Sequence, residues 1–172
     1  MQLDRMEKTL KHLGIGPANY KVLKLLPLVY VAWAEGKLTP ERAERLVDIA
    51  HNVFTIGEGG ERILRRWLAR PPDLAYIREG LHDIVLLAYA PDEWEFDVDE
   101  LPGLLAHAEA IARTTAKAMD APTSITETEE RALADIARLL AVDDGESWAR
   151  LLKELDTPGA SAAQGAAAAR AR

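Results

Sequence analysis

Residues 25–34, LLPLVYVAWA, carry no charge and a single proline. A helix made of them is apolar on every side, and such a helix has to sit at the centre of a bundle with other helices around it. Glu35-Gly36 breaks the run. Thr39 then supplies a side-chain acceptor for the free N–H groups of a second helix, and Pro40 occupies its first position, where a missing donor costs nothing. Leu46, Ile49, Ala50 and Val53 follow at helical spacing as a buried stripe. Residues 25–50 therefore read as a hairpin: a central helix and an amphipathic one packed on it.

The rest of the chain supplies the surrounding helices. Leu3, Met6, Leu10 and Leu13 line one face of a first short helix closed by Gly14 and Gly16. Pro17 opens the next, which runs through Tyr20, Leu23 and Leu25 to Pro27, where a kink or restart is expected. After a glycine-rich break at residues 57–60, Ile63, Leu64, Trp67 and Leu68 mark a short helix that stops at Pro71-Pro72. Leu74, Ile77, Leu81, Ile84, Val85 and Ala88 define an amphipathic helix over about residues 73–90. Residues 92–100, DEWEFDVDE, alternate acids with Trp94, Phe96 and Val98, as in an extended connection laid on the bundle. Leu101, Leu104, Leu105, Ala108, Ile111, Ala112 and Thr115 belong to a long helix that tolerates Pro102 in its first turn. Thr126-Glu127-Thr128-Glu129 is a capping box, followed by the stripe Leu133, Ile136, Ala137, Leu140. Trp148, Leu151, Leu152 and Leu155 mark a last helix that Trp148 anchors. No strand pattern occurs. The expectation is a single all-α domain over residues 1–156, a bundle of about seven to eight helices, with residues 157–172 as a disordered Ala/Gly-rich tail.

Composition narrows the function. A net charge of −7 and a pI near 5.2 argue against nucleic acid as a partner, because phosphate binding rests on a basic surface. The chain has no cysteine, which removes disulfides, thiolate metal sites and cysteine nucleophiles. The charged N-terminus lacks the apolar core of a signal peptide, and the longest apolar run is about half of what a membrane span needs. A cytoplasmic protein is expected. No phosphate loop, dinucleotide fingerprint or Gly-x-Ser-x-Gly turn occurs, so catalysis has little support.

A shift of 87 residues aligns Leu38-Thr39 with Ile125-Thr126, and Leu46-Val47-Asp48-Ile49-Ala50 with Leu133-Ala134-Asp135-Ile136-Ala137. Each copy follows a long apolar helix and a short loop holding an acid, Glu35 in one and Asp120 in the other. The element in each copy is an acidic turn, an apolar residue, a Thr cap and a first-turn acid. In the first it reads Ala34-Glu35-Gly36-Lys37-Leu38-Thr39-Pro40-Glu41, and in the second Ile125-Thr126-Glu127-Thr128-Glu129-Glu130. This arrangement resembles the TerB-like family, named for tellurite resistance, over about residues 20–141. The resemblance implies an all-helical bundle with an internal helix-hairpin repeat. It also implies a non-enzymatic, cytoplasmic role in tellurite resistance or stress response, exercised through protein partners, and divalent-cation binding at paired acidic turns. Arg42 departs from the family pattern, standing where a first-turn Glu is usual; so does Asp120-Ala121-Pro122, in place of Asp-Gly.

Several constellations bear on that implication. Glu35, Glu41, Asp120 and Glu129 offer carboxylate oxygens of the kind that hold Ca²⁺ or Mg²⁺. Acids at helix starts also serve the free N–H groups and the dipole, so both readings are open. Glu79 and His82 have the spacing of a carboxylate-bridged di-metal bundle enzyme, which requires them to face inward; Asp48 and His51 are a looser copy. The acids of residues 92–100 lack the Gly and Glu of a calcium loop, and suit either solvent or a basic partner of a purely structural interaction domain. Arg62, Arg65, Arg66 and Arg70 crowd one helix, where they either grip an acidic partner or pair with acids of their own chain.

Overall fold

The computed structural model describes residues 7–8, 10–89, 96–114 and 125–140, all within one compact unit, Met1–Val142. These residues form a helical bundle, and no strand occurs among them. A first helix, α1, includes residues 10–12. It is followed by a 3₁₀ helix η1 (Pro17–Leu25), α2 (Leu26–Ala32), α3 (Pro40–Asn52), α4 (Glu58–Ala69) and α5 (Leu74–Ala88). A short 3₁₀ turn η2 (Val98–Glu100), α6 (Leu101–Ala112) and α7 (Glu127–Leu139) complete the set. Asp120, Trp94, Trp148 and the tail at 157–172 lie outside the described residues.

The apolar run is central, as its composition requires. α2 packs against η1, α3, α5, α6 and α7. Leu25, Leu26, Leu28, Val29, Val31 and Ala32 are wholly buried, and only Tyr30 within α2 is partly exposed. Pro27 marks a restart: Leu26 N–H bonds to Leu23 O, an i→i−3 link that closes η1, and the proline then sits in the first turn of α2. There its absent donor is not missed. The segment after Pro17 is thus 3₁₀, tighter than the α-helix that its apolar spacing suggests. Gly80 lets α5 lie close on α2, since a Cβ there would fall 2.1 Å from Leu26 Cδ2.

Four other expectations are corrected. α4 begins at Glu58, so Gly59 and Gly60 lie inside it. A Cβ on Gly59 would meet the Asn19 amide at 2.5 Å and displace that side chain, and one on Gly60 would come within 3.3 Å of Ile56 Cβ. Val53 is half exposed and does not extend the stripe of Leu46, Ile49 and Ala50. α3 ends at Asn52, and the chain turns away through Thr55, whose φ of +47° lies in the left-handed region. Leu74, the first residue of the α5 stripe, is also exposed. In the acidic connection Phe96 is buried, but Val98–Glu100 is a 3₁₀ turn in which the Asp97 carboxylate accepts from Asp99 N–H. That side-chain cap favours a turn over continued extension.

Candidate functional site

The helix starts of α3 and α7 meet at one junction, built by capping chemistry. Thr39 Oγ1 accepts from Arg42 N–H at 3.3 Å, and Pro40 opens α3. Thr126 and Glu129 form a complete capping box on α7: Thr126 Oγ1 accepts from Glu129 N–H at 3.3 Å, and Glu129 Oε2 accepts from Thr126 N–H at 3.0 Å. Both arrangements are those the sequence predicts.

Arg42 joins the two starts. Its Nη2 donates to Glu129 Oε1, and the two side chains are 9% and 1% exposed. The same guanidinium donates to Ala112 O at 3.0 Å and, through Nε, to Thr114 O at 3.1 Å. It therefore satisfies free carbonyls at the end of α6 while neutralising the carboxylate that caps α7. A charge this deep is tolerated only because it is paired and hydrogen-bonded on several sides. At the rim, Thr126 Oγ1 donates to the exposed Glu35 carboxylate. One side chain thus ties three helix ends, and a second contact closes the turn before α3 onto the start of α7.

Of the predicted cation ligands, the junction brings together Glu35 and Glu129, separated by Thr126. Glu41 is half-buried in the first turn of α3 with no hydrogen bond to either. Asp120 falls outside the described residues. Among those residues no group of three or more His, Asp or Glu side chains is placed to hold a metal ion. Glu79 and His82 are exposed on α5, where Glu79 pairs with His12 Nε2 at 2.9 Å. They do not face inward as a di-metal bundle site requires. Asp48 and His51 are exposed as well, with His51 Nε2 at 3.4 Å from Glu61.

In the sequence Arg42 is both a departure from the family pattern and a basic neighbour able to offset the acidic turns; its partner Glu129 is not evident there. Arg42 and Glu129 are 87 residues apart, the offset that aligns Thr39 with Thr126, so opposite charges stand three residues after the two Thr caps. A second cluster has no counterpart among the sequence expectations. Lys24 is buried just ahead of the apolar run, with Nζ 2.5 Å from Glu100 Oε2 and 4.6 Å from the centroid of the Phe96 ring. Nearby, His107 meets Phe54 edge-on at 5.5 Å, and burial, aided by the positive charge of Arg45, pushes its pKa down. A lone Lys amid leucines was the available clue.

Tyr30 also faces α7. Its hydroxyl donates to Asp135 Oδ2 at 3.1 Å, and burial, then the Asp135 charge, push its pKa up. No family model, curated protein or solved structure matches the chain.

Proposed function

We propose that the chain is a non-enzymatic, TerB-like domain that acts by binding a protein partner, and that its paired helix starts form a charged latch in place of a cation site. The buried Arg42–Glu129 pair carries the latch. A hard divalent ion needs several free carboxylate oxygens, whereas Glu129 spends one on Arg42 and the other on Thr126 N–H. The positive charge that a cation would bring is already supplied by the guanidinium. The family reading rests on the Thr caps and apolar stripes that recur 87 residues apart, and the stress-response or tellurite-resistance role follows from the family.

Melting in millimolar Ca²⁺ or Mg²⁺ tests the latch. An ion bound to the folded state raises the melting temperature by mass action, so the wild type and Glu35→Gln should both melt where they do without metal. A rise that Glu35→Gln abolishes would replace the latch with a cation site. The partner-binding half is tested with the immobilised full chain, which should retain a defined protein from cells under metal-free conditions; no retention with or without cation would overturn it, and retention only with added cation would overturn the latch.

A further inference from the structure

We infer that the cleft at the C-terminal end of α4 docks an acidic peptide of a partner protein, with one carboxylate held by Arg66 and Arg70 and a neighbouring apolar side chain on the aromatic floor. The inference rests on the partner-binding reading and names its surface. The cleft has a volume of about 390 Å³, enough for a short run of side chains, and Leu13, Trp67, Pro71, Pro72 and Tyr76 wall it. Those walls are fixed in place. Tyr76 Oη donates to Leu13 O at 2.7 Å, the rings of Tyr76 and Trp67 meet edge-on at 6.1 Å, and Trp67 O accepts from Trp33 Nε1 at 2.9 Å. Two consecutive prolines stiffen the corner where the chain leaves α4. A rigid apolar floor spares a ligand much of the ordering cost of binding.

Arg66, in the last turn of α4, and Arg70, just past its end, line the same cleft and are exposed. The neighbouring Arg65 is bonded to Glu61, but no carboxylate among the described residues pairs with Arg66 or Arg70. Arginines at a helix end also complement its dipole, which accounts for their charge but not for a walled cleft beneath them. Planar guanidinium forks match a carboxylate in two-point geometry. Asp73 shares the cleft, so its net charge is one positive unit. That favours a singly charged carboxylate over a dianionic phosphate. The chain as a whole carries −7, so this patch is where an acidic segment meets attraction instead of repulsion.

The test uses the full chain and a fluorescein-labelled pool of short peptides with a central Glu flanked by Leu or Phe, read by anisotropy at low salt. Saturable binding is expected, weakened about tenfold or more in Arg66→Gln/Arg70→Gln, the size of one lost charge-assisted pair. Arg62→Gln, the control for Arg70→Gln, removes one positive charge outside the cleft and should bind as the wild type does. Arg70→Gln alone, past the helix end, should give a smaller loss and keeps the test standing if the double variant melts early. No binding, equal loss in Arg62→Gln, full binding by a pool with Gln for Glu, or displacement by acetate as effective as by unlabelled peptide would each overturn the site. A partner that binds the double variant as well as the wild type would also overturn it while leaving partner binding intact; failure to retain any partner strikes the broader reading instead.

Discussion

Glu129 and Asp83 are both buried carboxylates, 1% and 5% exposed, yet their surroundings differ completely. Glu129 stands at the α3–α7 junction with a guanidinium on one oxygen and a backbone N–H on the other. Asp83 sits on α5, and its carboxylate has no hydrogen bond to a described residue. Loss of solvent pushes its pKa up to about 6, and Glu79 adds to the rise while His82 and His12 oppose it. Equal burial therefore yields a cornerstone in one region and a liability in the other. What decides is the donor set around each oxygen.

The largest expected effect tests the first half of that contrast. Glu129→Ala leaves Arg42 charged, buried and without its carboxylate, and removes half of the capping box. Urea unfolding at neutral pH should show a loss of about 3–5 kcal/mol. A loss under about 1 kcal/mol would mean that water reaches the guanidinium and the pair is ordinary.

Asp83→Asn should act in the opposite direction. A carboxyl with a folded pKa near 6 against 3.8 unfolded binds its proton more tightly in the folded state. Stability is therefore fully present below the unfolded value and declines as pH rises from about 4 to 6. The amide avoids that decline. The variant should gain about 1–3 kcal/mol at pH 7 and little at pH 4. A loss at pH 7 would reveal a partner that stabilises the ionised form.

Smaller effects sharpen the picture at the junction itself. Thr126→Ala removes an N-cap acceptor and the hydroxyl that reaches Glu35, and should cost about 1–2 kcal/mol; Thr39→Ala, with one cap bond only, about 1 kcal/mol. The order of the two decides whether the box and rim contact add to a plain cap. Glu35→Gln, at the exposed rim, should change stability by less than about 0.5 kcal/mol.

Much of the fold is legible before any coordinates. An uncharged run can only be central, and Thr-Pro and Thr-x-x-Glu are cap signals with a mechanism, so α2, α3 and α7 follow directly. Paired stripes are less secure. Leu140 is buried while Val53, its counterpart 87 residues earlier, is half exposed, because where a helix stops depends on the turn beyond it. The left-handed Thr55 leaves no mark in the periodicity. The same holds for Asp48 and Asp135: both follow the same pattern, but only Asp135 meets a tyrosine hydroxyl. Long-range polar partners such as Arg42 with Glu129, or Lys24 with Glu100, join distant parts of the chain, so even where one member stands out locally its partner does not.

The latch itself is tested most directly by a double-mutant cycle on Arg42 and Glu129, using Arg42→Met, Glu129→Gln and the pair, measured by urea unfolding with and without millimolar Ca²⁺. A coupling of about 2 kcal/mol or more, the same in both conditions, is expected of a buried pair that takes the place of a cation. A coupling below about 0.5 kcal/mol, or one that Ca²⁺ abolishes while raising wild-type stability, would contradict it.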